Sequence, residues 1–266
     1  MTERGSVQRS ARRLTAAGSE TLVETVAEEV AVALVYNGVG HAVMMATPCD
    51  LEDFARGFSL TERLVEKPSE IYDIEVEPAG RGIEVRLEIA AQRMTALQAR
   101  RRTLAGRTGC GLCGVDSLEA ALRPVASVQT ASTVSRRAIE RAMASLPAQQ
   151  RLNRDNGATH AAGWADAQGT LLAVREDVGR HNALDKLAGA LAKSGQAASG
   201  GFVVVTSRCS YEMVQKAAAL GASAIAAVSA PTSLAIETAA QANVALAAFV
   251  RKGRLTAYAH AERIVD

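Results

Sequence analysis

Residues 202–250 decide the fold class. They read Phe202-Val-Val-Val-Thr206, Tyr211-Glu-Met-Val-Gln-Lys-Ala-Ala-Ala-Leu220, Ala224-Ile-Ala-Ala-Val-Ser229, Thr232-Ser-Leu-Ala-Ile-Glu-Thr-Ala-Ala-Gln-Ala242 and Val244-Ala-Leu-Ala-Ala-Phe-Val250. Short apolar runs bounded by polar or glycine turns predict strands over 202–206, 224–229 and 244–250. The segments between them carry apolar residues at helical spacing and predict helices over 211–220 and 232–242. Strands that alternate with helices specify an α/β fold, with a largely parallel sheet covered on both faces. In such a sheet, ligands lie where strand ends meet loops.

Upstream of this core, 160–165 and 170–176 read as a strand pair, and Asn182 can cap a helix to Lys193. Ser135 can cap a helix through Ser145 that stops before Pro147. Val30–Tyr36 and His41–Ala46 flank Asn37-Gly38, a strong hairpin signal. Asp50 can cap a helix from Leu51 to about Arg63. Residues 71–76 and 83–89 alternate apolar with charged residues as half-buried strands do, and 90–103 reads as a helix. The expected organisation is a flexible basic tail over 1–20, a smaller α+β subdomain over 21–123 and an α/β domain over 124–266.

The chain has 266 residues, 48% hydrophobic and 22% charged, which is enough for a sizeable core. Only 3% are aromatic, so Ala, Val and Leu must fill that core. A net charge of +2 gives no reason to expect nucleic acid. Four cysteines in so long a chain do not form a secreted disulfide scaffold. No apolar run reaches membrane-spanning length, and residues 1–20 carry no signal-peptide core. The expectation is a cytoplasmic protein with neither membrane nor nucleic acid as partner.

Thr108-Gly-Cys110-Gly-Leu-Cys113-Gly114 carries two thiols among three glycines. Glycine permits tight turns. Arg100, Arg101, Arg102 and Arg107 upstream would favour thiolates, the reactive form. Cys110 and Cys113 therefore read as activated sulfurs on a pliable loop. Half of a zinc site, a thioredoxin-like redox pair and a purely structural pair are the competing readings. The zinc reading lacks further ligands at metal spacing, and the redox reading lacks the strand that should precede the motif.

Polar residues also gather at the predicted strand ends. Arg175–Asn182 and Thr206–Glu212 each join a strand to a helix, as does Ser229–Ser233. Phe249, Val250, Arg251, Lys252, Gly253 and Arg254 leave the last long strand with three cations suited to a phosphate. Neither a Walker P-loop nor a strand-borne G-x-G-x-x-G is present.

Four strings carry a family resemblance: Cys110-Gly-Leu-Cys113, Glu176-Asp-Val-Gly-Arg-His-Asn-Ala-Leu-Asp-Lys186, Ser207-Arg-Cys-Ser-Tyr-Glu-Met-Val-Gln-Lys216 and Ser229-Ala-Pro-Thr232. With Tyr36-Asn37-Gly38 and Thr47-Pro-Cys-Asp-Leu51, the chain from about Glu24 onward resembles the formate dehydrogenase accessory sulfurtransferases, the FdhD family. The resemblance implies a cytidine-deaminase-like three-layer α/β domain behind a smaller subdomain, as a homodimer. It implies a sulfur carrier loaded by a cysteine desulfurase, with the persulfide on Cys110. The sulfur would pass to the molybdenum cofactor, bis(molybdopterin guanine dinucleotide), before its insertion into formate dehydrogenase. The cofactor strip would be Phe249–Arg254, with GDP as a mimic of its nucleotide end. Cys209 departs from the family pattern and sets another thiol near the second polar loop. A cofactor-binding chaperone without sulfur chemistry is the rival reading. A zinc deaminase is a weaker one, because the sole His-X-Glu, His260-Ala-Glu262, follows the cysteines instead of preceding them.

Overall fold

The computed structural model describes residues 5–105, 125, 127–129, 132–195 and 200–266. The chain begins with β1 (Ser6–Thr15) and β2 (Gly18–Ala27), paired antiparallel from Ser6↔Ala27 to Thr15↔Gly18. This corrects the expected flexible tail. Cross-strand charge replaces apolar periodicity here, since Arg13 bonds Glu20 at 2.9 Å and Glu24 at 2.8 Å. The base of the hairpin is anchored where Asn156 donates to Ser6 Oγ at 3.0 Å and Glu28 N to Gly5 O at 2.9 Å.

The next unit comprises β3 (Val30–Tyr36), β4 (Val39–Ala46), α1 (Leu51–Thr61), β5 (Ile71–Ala79), β6 (Gly82–Ile89) and α2 (Ala91–Ala105). Its sheet order is β4-β3-β6-β5, with β3 and β6 parallel. Val32, Leu34, Tyr36, Val85 and Leu87 alternate onto one face and pack against Phe54, Ala55 and Phe58 of α1. Asp50 stands at the start of α1 but does not cap it. Its backbone is left-handed (φ 52°), and its side chain makes no cap hydrogen bond.

The second half contains β7 (Val134–Ser135), α3 (Arg136–Gln149), α4 (Arg151–Asn156), β8 (His160–Ala165), β9 (Leu171–Asp177), α5 (Arg180–Ser194), β10 (Phe202–Val205), α6 (Tyr211–Ala219), β11 (Ala224–Ala227), α7 (Ser233–Gln241), β12 (Ala245–Arg251), β13 (Arg254–Ala259) and β14 (Ile264–Val265). Ser135 caps α3 by accepting from Ala138 N at 3.4 Å. That helix runs on past Pro147, because a proline in the last turn removes one donor without breaking what precedes it. Asn182 lies inside α5, where Gly179 takes the cap position instead.

The main sheet runs β13-β12-β11-β10-β8-β9. Only β10–β11 and β11–β12 are parallel, while β8–β10, β8–β9 and β12–β13 are antiparallel. The sheet is therefore mixed, not largely parallel, because apolar periodicity reports burial and carries no strand direction. Val203, Val205, Ile225, Ala227, Leu246 and Ala248 face the layer of α5, α6 and α7. Phe202, Val204, Ala224, Ala226, Ala245 and Ala247 face α3. Period-two alternation thus builds three layers.

The two halves meet where α1 crosses α5. A Cβ on Gly57 would collide with the Asp185 carbonyl, and one on Gly189 with the Asp53 carbonyl. Backbone touches backbone at both points. Gly57→Ala should destabilise the chain by about 1–3 kcal/mol, the cost of overpacking a tight contact. A lowered thermal unfolding midpoint checks this, and an unchanged midpoint would mean the helices separate freely.

Candidate functional site

The string Glu176–Lys186 spans the end of β9 and the first turns of α5. Its buried members hold the two halves together. Lys186 and Asp177 form a fully buried ion pair at 2.7 Å. Lys186 Nζ also donates to Thr47 O at 2.9 Å. Asp177 accepts from Thr47 N at 3.0 Å and Gly179 N at 2.8 Å. Asn182 Nδ2 donates to Met45 O at 2.8 Å and Asp177 Oδ1 at 3.1 Å. Glu176 accepts from Leu152 N, Asn153 N and Thr159 Oγ1, all at 2.9 Å, and so closes the start of α4. Nearby, Lys216 reaches Asp185 at 2.8 Å, Glu62 at 2.9 Å and Thr61 at 3.0 Å. Burial opposes the Lys216 charge, but the two carboxylates outweigh it and raise its pKa.

Arg180 and His181 of the same string do not take part in that network. His181 Nε2 lies 2.8 Å from Glu212 Oε2 and 3.4 Å from Ser210 Oγ. The His181 hydrogen bond is the main cause that lowers the Glu212 pKa. The string therefore brings the first two polar loops together at the strand ends. Cys209 N donates to Ala230 O at 3.1 Å and joins the third loop to them.

The described thiols are poor nucleophiles. Cys209 is fully buried, and burial pushes its pKa up to about 12. It is not the accessible extra thiol that its sequence position suggests. Cys49 is half-buried with its Sγ 3.8 Å from Lys186 Nζ. Burial raises its pKa more than Lys186 lowers it. It lines a cleft of about 570 Å³ together with Asp50, Gln149, Arg151, Arg175 and Glu176. Neither this cleft nor its lysine neighbour shows in the sequence around Cys49. Cys110 and Cys113 lie outside the described residues.

The strip Phe249–Arg254 comprises the end of β12, the Lys252-Gly253 turn and the first residue of β13. Arg251 pairs with Arg254, and Lys252 (φ 51°) and Gly253 (φ 71°) turn the chain through left-handed conformations. A Cβ at Gly253 would meet nothing, so backbone conformation, not space, calls for glycine there. Arg251, Lys252, Gly253 and Arg254 are exposed, whereas Val250 is buried. Phe249 is half-buried, and the Arg251 guanidinium lies 5.8 Å from its ring centroid. A cleft of about 280 Å³ opens beside the turn, lined by Glu140, Met143, Val228, Val250 and Arg251 among others. Strand β13 has no counterpart in the sequence reading, although Leu255, Ala257 and Ala259 alternate with Thr256 and Tyr258 along it.

His41 packs its ring edgewise on Tyr36 and Phe58, as a strand residue would. Among the described residues, no group of three or more His, Cys, Asp or Glu could hold a metal ion, and no helix is long and apolar enough to cross a membrane.

This arrangement of fold and strand-end polar loops defines a known class. The model of the FdhD/NarQ family matches residues 27–265, and the chain belongs to that family. A protein of Cupriavidus necator named sulfur carrier protein FdhD is 57% identical over 241 residues, covering 91% of this chain and 84% of that one. One of the same name from Xanthomonas campestris is 50% identical over 260 residues, covering 98% and 92%. The crystal structure of a formate dehydrogenase accessory protein from Desulfotalea psychrophila superposes with a TM-score of 0.75 at 25% identity, covering 98% of this chain and 99% of that one.

The buried pair generates a stability prediction. Lys186→Met should strand the Asp177 carboxylate in the interface and cost about 3–5 kcal/mol. Denaturant titration reads the loss. A variant as stable as the wild type would show that the pair does not hold the halves together.

Proposed function

We propose that this chain is a sulfur carrier for formate dehydrogenase. The observation that carries the reading is high identity over nearly the whole chain to proteins named sulfur carrier protein FdhD. In this reading Cys110 is the carrier and Cys113 the second thiol of the pair. The state of the other two thiols supports this. A pKa of about 12 leaves Cys209 about one part in ten thousand thiolate at pH 8, and Cys49 is also held toward the thiol.

The chemistry is thiol–persulfide exchange. The Cys110 thiolate attacks the outer sulfur of a persulfide on a cysteine desulfurase. The donor's S–S bond breaks, a new one forms on Cys110, and the desulfurase leaves as a thiolate with no net change in electrons. The sulfur then passes to the bis(molybdopterin guanine dinucleotide) molybdenum cofactor, the substrate, before formate dehydrogenase receives it. The reading includes a cytoplasmic homodimer.

Intact mass after incubation with desulfurase and cysteine tests the carrier. Wild type and Cys49→Ser should each gain one reducible sulfur, and Cys110→Ser should gain none. A Cys110→Ser variant that still loads and supports formate dehydrogenase would refute the assignment.

The exposed cations of the β12–β13 turn support a site for the guanine nucleotide end of the substrate. Arginine forks pair with phosphate oxygens in a way lysine cannot. Calorimetric titration of GDP at fixed ionic strength should show Arg251→Ala and Arg254→Ala each weakening binding roughly ten- to a hundredfold. Wild-type affinity in both variants would remove this turn from the site.

A further inference from the structure

Two surfaces of this chain lack a cover, and they match each other. The first is the outer face of the β4-β3-β6-β5 sheet. Its inner face packs on α1, whereas among the described residues no layer lies on the outer one. Cross-strand register places Ala31, Ala33, Val35, Val43 and Met45 on that face. Val43 is 68% exposed and Met45 51%, so two large apolar side chains stand side by side in water. Adjoining apolar groups of this kind mark an interaction surface. On β6 and β5 the same face carries Glu84, Glu88, Asp73, Glu75 and Glu77. Arg86 is the one cation among them, and Glu77 and Glu84 already engage it. Half of the face is apolar and half is acidic.

The second surface is the β1–β2 ribbon. It packs on α4, and no hydrogen bond or ion pair joins it to that sheet among the described residues. A lone two-stranded ribbon is marginal in water, and this one runs ten residues in each strand. Register sets Arg12, Leu14 and Val23 on one of its faces. Leu14 is 73% exposed and Val23 65%. The side chain of Arg12 bonds the Ser19 hydroxyl and no described carboxylate. Glu20 and Glu24 stand on the opposite face and are engaged by Arg13. The first face is therefore apolar and basic, without a carboxylate.

We propose that the β1–β2 ribbon of one copy of this chain lies across the outer face of the β4-β3-β6-β5 sheet of a second copy, which returns the contact. Leu14 and Val23 meet the apolar half, and Arg12 meets the carboxylates. Ribbon and sheet leave each other unpaired within one chain, so a second copy supplies each with its cover. Two such contacts about a twofold axis close a dimer. A ribbon of this length is about 34 Å long and about 10 Å wide. The reciprocal pair of contacts then buries on the order of 1,400 Å², the size of a stable interface. The ribbon lies almost wholly ahead of residue 27, where the family match begins. The proposal rests on the proposed function only in taking the chain as a homodimer, not on its sulfur chemistry.

Sedimentation of the full chain at micromolar concentration and fixed salt tests this with two variants. Arg12→Glu, Leu14→Ser and Val23→Ser together disable the ribbon. Val43→Lys with Met45→Lys disables the sheet, and Val43→Lys alone decides if the pair melts early. The wild type should sediment as a dimer, and each variant alone as a monomer. Mixed in equal amounts, the two variants should associate again, because the sheet of the first and the ribbon of the second are intact. A contact of ribbon on ribbon or sheet on sheet gives no such rescue. Three results would overturn the proposal: a monomeric wild type, either variant dimerising as the wild type does, or a mixture no more associated than its components. Sulfur loading on Cys110 is read by mass, so its failure leaves the sedimentation result readable.

Discussion

The ion pair between Lys186 and Asp177 is the constraint around which the molecule is arranged. Both groups are fully buried where the halves meet. Two charges in such a place are tolerable only when each has a full set of partners. Thr47 and Met45 of the first half, and Gly179 and Asn182 of the second, supply or stabilise those partners. The Thr47 turn is therefore determined by α5, and the entry to α5 by β4. Lys216 of α6, with Asp185 of α5 and Glu62 and Thr61 at the end of α1, repeats the scheme farther along. Between the two polar staples the helices approach so closely that only glycine fits.

This arrangement gives the Glu176–Lys186 string two jobs. Glu176, Asp177, Asn182 and Lys186 face inward and assemble the fold. Arg180 and His181 occupy the intervening positions at the start of the helix and stay at the sheet edge. A helix that begins at a strand end offers both environments within one turn, so buried structural residues and sheet-edge residues can alternate along one short string.

Much of the fold was legible because apolar runs are local. Val30–Tyr36 matches β3 to the residue, and β10, β11 and β12 fall within a few residues of their predicted bounds. Strand direction was not legible, because pairing partners lie far apart in the chain. Strands β1 and β2 were missed because charge and small residues hide their alternation, and β13 because its short run follows directly on the cationic turn. At the site, sequence showed Asp177 as a loop charge and Lys186 as a residue of the helix from Asn182 to Lys193. Burial and partners, which decide that they are structural, exist only in three dimensions. The arginines of the last turn were legible as surface cations, while the place of His160 opposite Asp177 depended on an antiparallel pairing that no motif announces. Cys110 and Cys113 were legible as chemistry and lie outside the described residues.

The glycine contacts between α1 and α5 also bear on modularity. Domain boundaries that permit gene fusion or independent expression run through sparse, solvated interfaces. Here a cut between the halves would leave Lys186 and Lys216 in one fragment without Thr47, Thr61 and Glu62 from the other. Each fragment would expose a groove shaped to a backbone it no longer has. The halves carry separate main sheets but form one unit of inheritance, and neither can be exchanged for a foreign counterpart that lacks glycine at the crossing.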